Sequence, residues 1–171
     1  MTRGAEGMET PPYRQRIDLP AAAAGGYQAL ARLDSLIRRD GLVDDRLREL
    51  VKLRTSQMNG CALHLERHSR EARRLGEPEQ RLHQLAGWRE SPLFTASQRA
   101  ALALTEAVTR LGPDGVPDDV YDDAERHFGP QQLGNLILTV AVTNALNRIA
   151  VTARLQPPAP EPDAPPRRPA R

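Results

Sequence analysis

The sequence predicts an all-α protein, a compact bundle of six to seven helices. Apolar residues recur at helical spacing along most of the chain, so one amphipathic segment follows another. Capping and turn residues separate these segments, and no alternating run of apolar and polar residues indicates a strand. The 171 residues suffice for a single domain with a sizeable hydrophobic core.

Helix starts are indicated in order along the chain by capping residues. Asp44 and Asp45 suit the N-cap of one helix, Thr95 and Gln98 form a capping box before the clearest amphipathic stripe, and Pro117 suits the first turn of a short helix. Asn59-Gly60 separates two helices, because both residues tolerate a left-handed backbone. The segments predicted to be helical are 27–39, 44–58, 61–76, 78–88, 95–111, 117–128 and 131–155.

The longest predicted helix, 131–155, is apolar on more than one face. Such a helix is normally buried on several sides, which in a small chain indicates a subunit interface as well as a core. We therefore expect a homo-oligomer. Asn144 and Arg148 interrupt the apolar surface, and they either line a site or have packing roles.

The two ends of the chain differ in composition from this helical region. Residues 1–20 are predicted to form a mostly irregular arm, and residues 21–155 the helical domain. Seven of the sixteen residues in 156–171 are proline, and three are arginine. This composition cannot build a packed core, so we expect an extended, disordered tail.

Composition excludes several classes of function. The formal net charge of +2 and the six aromatic residues argue against a nucleic-acid-binding surface. No stretch approaches the 18 or more apolar residues of a membrane span, so no membrane association is expected. Residues 1–12 lack the apolar core of a secretory signal, and the chain has one cysteine. We therefore expect a cytoplasmic protein.

The most informative stretch runs from Glu49 to His68 and contains that single cysteine. Cys61, His64 and His68 are spaced i, i+3 and i+7, so they share one helical face. Because Cys61 begins a helix, the exposed backbone N–H groups should stabilise its thiolate and lower its pKa below about 8.5. A histidine could take the thiol proton, and Glu49 could orient that histidine. The alternative is a buried, inert cysteine beside two hydrogen-bonded histidines.

Other roles for these polar residues are less favoured. Cys61 and His68 lie about two helical turns, or roughly 10 Å, apart, which is too far for ligands of one metal ion. We therefore expect neither a metal nor another cofactor. His83 is expected on the surface or in packing, and His127 suits the end of a helix, where a positive charge is favourable.

The same stretch resembles the carboxymuconolactone decarboxylase-like superfamily, and within it the alkylhydroperoxidase D-like branch. That pattern has a glutamate, then Cys-x-x-Cys-x-x-x-His about a dozen residues later, which matches Glu49, Cys61 and His68. The resemblance covers about residues 14–155. Further similar segments are Leu50–Gly60, Trp88–Ser91, Phe94–Ala96, Ala100–Ala107 and Asn144–Arg148.

This resemblance implies the family's helical bundle, assembled as a trimer or hexamer, and a reaction with peroxides. In the family, two cysteines cycle between dithiol and disulfide while Glu and His move protons. Here His64 stands where the second cysteine belongs, so Cys61 has no partner in the chain. The resemblance then implies a Cys61 peroxidase that uses an external thiol reductant, with His68, Glu49 and His64 moving protons. Two alternatives remain, a non-redox decarboxylase-like enzyme with a histidine acid/base and a catalytically degenerate binding protein.

Overall fold

The structure, a computed structural model, describes residues 14–157, and within them the secondary structure is helical apart from one isolated bridge between Gly112 and Gly115. A 3-10 turn, Leu85–Gly87, follows α5. The α-helices are α1 Leu19–Ala22, α2 Ala24–Arg39, α3 Asp45–Asn59, α4 Ala62–Arg74, α5 Glu79–Gln84, α6 Ala96–Thr109, α7 Asp118–His127 and α8 Pro130–Ala153.

The all-α prediction is confirmed, and each of the seven predicted segments contains one helix. The additional helix is the four-residue α1, which lies partly in the segment predicted as an irregular arm. It forms because the Asp18 side chain accepts a hydrogen bond from the Ala21 N–H group and Pro20 stands in the first turn. The predicted capping box is present, with Thr95 and Gln98 each bonding the other's backbone N–H group.

Helix α3 lies at the centre of the bundle, where it packs against α4, α6 and α8. Two hydrophobic clusters meet at it. Val51 belongs to the cluster formed with α6, α7 and α8, whereas Leu50 belongs to the cluster formed with α4, α5, the 3-10 turn and α6. Both side chains are fully buried. The polar residues on either side of them, Glu49 and Lys52, are therefore also buried within the bundle.

Helix α8 is apolar on several sides, as predicted. The expectation that no stretch is apolar enough to span a membrane needs one correction. Within residues 14–157, α8 alone is long and apolar enough, by length and composition, to cross a membrane, which the sequence had not indicated. Half of its most apolar window is buried against the rest of the chain, as also occurs in a core helix. Leu138 and Val151 of α8 remain exposed. The homo-oligomer stays a prediction.

The described parts of both ends are fixed to the bundle near the end of α8. The backbone N–H of Arg16 donates to the carbonyl of Ala153, at 2.9 Å. Arg154 adopts a left-handed backbone, and the Leu155 N–H returns to the carbonyl of Ala150. Gln156 and Pro157, predicted as part of the tail, line a cavity with Leu155. The rest of the predicted arm, 1–13, and of the tail, 158–171, lies outside the described residues.

Candidate active site

The turn between α3 and α4 presents Cys61 at the start of a helix, as predicted. Gly60 ends α3 with a left-handed backbone (φ 62°), and Cys61 is the N-cap of α4. The Cys61 N–H donates to the carbonyl of Ser56, which fixes the turn against the end of α3. The cysteine is only 1% exposed. The sequence therefore defines both the position of this thiol and the helix beginning beside it.

Cys61 and His64 form a neutral pair. The Cys61 sulfur lies 3.1 Å from His64 Nδ1. Burial lowers the pKa of His64 from 6.5 to about 4, and electrostatic interactions with His68, Arg67 and Lys52 act in the same direction, whereas Asp34 opposes them. His64 is therefore uncharged at neutral pH. Its Nδ1 can then accept the hydrogen of the Cys61 thiol.

The predicted fall in the pKa of Cys61 is wrong. Burial raises the pKa of this thiol above its ordinary value, because the charged thiolate is disfavoured away from water. The backbone N–H groups of His64 and Leu63 at the start of α4 favour the thiolate and act in the opposite direction on the pKa, but their effect is smaller. The expected influence of the helix start is thus present, and desolvation outweighs it.

His68 and Glu49 form a second buried pair, one turn further along α4. His68 Nδ1 lies 2.8 Å from Glu49 Oε2, and both side chains are largely removed from solvent. The ring of His68 stacks on that of His64, with centroids 5.7 Å apart and planes inclined by 21°. The Glu49 carboxylate accepts the Nδ1 hydrogen of His68 and fixes the ring orientation. All four predicted site residues therefore lie together.

A predominantly apolar cavity lies on the Cys61 side of this cluster. It has a volume of about 330 Å³. Cys61 and Leu63 line it from the start of α4, while Val151 of α8 and the segment Leu155–Pro157 line it from the other side. A small apolar molecule could approach the thiol from this cavity.

A polar cavity of about 220 Å³ lies on the Glu49 and His68 side, and Cys61 does not line it. The buried ammonium group of Lys52 contributes to its wall and lies 2.5 Å from Asp34 Oδ1 of α2. Arginines of α2 and α4 also line it, together with Ser35 and Glu71. The four site residues thus join two cavities of opposite character.

Several polar residues are excluded from the cluster, and others were missed. Asn144 is buried in packing, where its side chain bonds those of Asn59 and Thr109, and Arg148 is exposed. His83 and His127 are exposed, as expected.

Sequence reasoning missed Lys52, although its i, i+3 spacing from Glu49 placed both on one face of α3. Within residues 14–157, no three His, Cys, Asp or Glu residues are grouped so that they could hold a metal ion.

The sequence matches the Carboxymuconolactone decarboxylase family over residues 24–107, which includes all four site residues. Protein YdfG of Bacillus subtilis (strain 168), described as uncharacterized, is 33% identical over 137 residues. That match covers 80% of this chain and 92% of YdfG. The chain belongs to the carboxymuconolactone decarboxylase family.

One solved structure supports this membership, and a second shares only the fold. A protein of Agrobacterium tumefaciens, described as of unknown function and as a putative antioxidant defence protein AhpD, is 33% identical, with a TM-score of 0.82. The match covers 86% of this chain and 100% of that one. The debrominase Bmp8 is 20% identical, with a TM-score of 0.69, over 77% of this chain and 70% of its own. Bmp8 shares the fold, whereas the Agrobacterium protein is also related in sequence.

Proposed function

We propose that this member of the family is a cysteine-dependent hydroperoxide reductase that uses Cys61 as its nucleophile and an external thiol as its reductant. The proposal rests on the 3.1 Å contact between the Cys61 sulfur and the neutral base His64, beside an apolar cavity. A thiol whose pKa is raised by burial needs such a base to become nucleophilic. The apolar lining favours organic hydroperoxides with a small apolar group over hydrogen peroxide.

In the first step, the Cys61 sulfur attacks the terminal oxygen of the hydroperoxide while its proton moves to His64, so that proton transfer and attack are coupled and no free thiolate forms beforehand. The O–O bond breaks, the sulfur loses two electrons, and the leaving alkoxide takes the proton from His64. The products are an alcohol and a Cys61 sulfenic acid. An external thiol then displaces water from the sulfenic acid to form a mixed disulfide. A second thiol releases Cys61 as the free thiol, together with the reductant's disulfide.

The Glu49–His68 pair has a positioning role in this proposal. The imidazole rings of His64 and His68 are stacked face to face. Stacked rings do not point a ring N–H at each other, so this contact provides no path for a proton. Glu49 fixes the orientation of His68, and His68 supports the ring of His64 beside the sulfur. Loss of the carboxylate should therefore weaken the reaction less than loss of His64.

A second candidate is an acid–base reaction that does not use the thiol. It is favoured by one observation, that Glu49 and His68 line a polar cavity from which Cys61 is absent. In this case His68 would be the acid or base, and the Cys61 pair would be structural.

Peroxide turnover by matched cysteine variants tests the proposal. Wild-type protein should consume more than one equivalent of cumene hydroperoxide only when a monothiol is supplied, and Cys61→Ala should abolish all reduction. In His64→Cys, the two cysteines at i and i+3 would have Cα atoms about 5 Å apart, within the disulfide range of roughly 4.4–6.8 Å. That variant lacks the His64 base, so peroxide should oxidise it more slowly than wild type, but the oxidation should end in an internal disulfide that a dithiol reduces. Equal peroxide consumption by wild type and Cys61→Ala would overturn the proposal in favour of the second candidate.

A further inference from the structure

The polar cavity beside His68 is not needed by the reaction at Cys61. Its lining contains four basic side chains, Arg38, Lys52, Arg67 and Arg70, and three carboxylates, Asp34, Glu49 and Glu71. The walls come from α2, α3 and α4. Its volume of about 220 Å³ is below the roughly 300–1,000 Å³ of cavities that hold drug-sized ligands, so an occupant would be small.

The acidic groups of this cavity all have basic partners. Asp34 pairs with Lys52, and Glu49 hydrogen-bonds to His68. Glu71 makes two hydrogen bonds to Arg74, a residue outside the lining. Each carboxylate of the lining therefore already has a directly bonded basic partner.

Three guanidinium groups of the lining have no such partner. Arg38 of α2 and Arg67 and Arg70 of α4 form neither a hydrogen bond nor an ion pair through their side chains within residues 14–157. Arg38 and Arg67 act on Glu71 only through space. Arg67 and Arg70 come from the same helix, three residues apart, and Arg38 comes from another wall. Unpaired guanidiniums around a small cavity form a site for an anion with several oxygens, because each presents a planar set of donors.

We propose that this cavity binds a small dianionic oxyanion, either phosphate or a short dicarboxylate, between Arg38 of α2 and Arg67 and Arg70 of α4. The positive field that such an anion would meet also reaches the neighbouring cluster. Arg67 and Lys52 both contribute to lowering the pKa of His64, to about 4, together with the larger effects of burial and His68. The proposal concerns binding alone and does not depend on the reaction at Cys61.

Calorimetric titration of the full-length protein with sodium phosphate and with sodium malonate tests this proposal, with sodium chloride at equal ionic strength as the reference. At least one of the two dianions should bind saturably, and the tighter one identifies the source of the oxyanion. Arg67→Gln/Arg70→Gln should weaken that binding at least about tenfold, since it removes two sets of charge-assisted donors. Both side chains are exposed and unpaired, so the variant should keep its fold, which its circular dichroism spectrum checks.

Two controls distinguish this site from others. Arg32→Gln changes an exposed arginine of α2 that does not line the cavity, and it should bind like wild type. Cys61→Ala should also bind like wild type, which separates the anion site from the thiol. The proposal is overturned if neither dianion binds saturably relative to chloride. It is equally overturned if the double arginine variant binds with wild-type affinity.

Discussion

The two cavities flanking the site differ in both lining and charge. On the Cys61 side, apolar residues of α4, α8 and the segment after α8 surround a thiol whose pKa is raised by burial. On the other side, a buried carboxylate and imidazole pair lies among arginines and a lysine. His64 lies between them, bonded to the thiol and stacked on His68. This difference indicates that one side is suited to an apolar reactant, whereas the other provides orientation and charge.

Replacing His64 tests whether the thiol depends on its neighbouring base. His64→Gln keeps a polar side chain but cannot take the thiol proton, so peroxide consumption at pH 7 should fall by about 10²–10⁴-fold. Stopped-flow measurement of cumene hydroperoxide reduction by the thiol form checks this. His83→Gln, which changes an exposed histidine of α5, should retain the wild-type rate. A His64→Gln rate within twofold of wild type would contradict the role of His64 as base.

The same substitution should alter the pH dependence of stability. The pKa of His64 is about 4 in the folded protein and 6.5 as the ordinary value, so the unfolded chain binds more protons between these values. The free energy of unfolding should therefore fall as pH decreases from 6.5 to 4, with a contribution from His64 of at most about 3 kcal/mol. Urea unfolding of wild type and His64→Gln across this window measures it. Identical pH slopes would show that His64 is not protected from protonation.

Removing the Glu49 carboxylate tests the role of the pair that lines the polar cavity. Glu49→Gln keeps a hydrogen-bond acceptor for His68 but loses the charge, so peroxide reduction should fall by about tenfold and stability by about 1.5–3 kcal/mol. Parallel rate and urea-unfolding measurements check both values. Glu66→Gln, at an exposed position on α4, is the matched control. A loss in Glu49→Gln as complete as that in Cys61→Ala would argue for direct participation of the carboxylate in the chemistry.

The smallest expected effect concerns the apolar wall. Leu155→Ala should enlarge the cavity beside Cys61 and change the ratio of kcat/KM for cumene hydroperoxide over hydrogen peroxide by a few-fold. This is below the roughly 10–200-fold that a methylene group in a closely fitting pocket contributes, because Leu155 forms only part of the cavity wall. Leu111→Ala, an exposed leucine remote from the lining, should leave the ratio unchanged. An unchanged ratio in Leu155→Ala would show that the hydroperoxide does not enter by this cavity.

Within residues 14–157, the sequence was sufficient for every helix except α1 and for the grouping of Cys61, His64 and His68, because both follow from local signals. Capping residues and apolar spacing defined the helices, and the spacing of Cys61, His64 and His68 placed them on one face. The partnership of Glu49 with a histidine was also anticipated. Helix bounds and helical faces depend on residues within a few turns along the chain. The Glu49–His68 contact is different, because it joins α3 to α4.

The direction of the Cys61 pKa could not be predicted, because it depends on depth within the fold. The sequence reveals the helix start, whose N–H groups favour the thiolate, but not the burial that outweighs them. The role of Gln156 and Pro157 was missed for a related reason. Their composition predicts a free tail, whereas the left-handed Arg154 turns the chain back towards Cys61. Tertiary contacts of this kind leave little trace in local periodicity.

The most direct measurement of the central claim is the oxidation state of Cys61 after one equivalent of cumene hydroperoxide. Mass spectrometry with the sulfenic-acid trap dimedone should find a single adduct on Cys61, formed together with an equimolar amount of cumyl alcohol. His64→Gln should give the same adduct far more slowly. If the hydroperoxide is reduced without modification of Cys61, or is not reduced at all, the thiol is not the nucleophile and the account of this site is wrong.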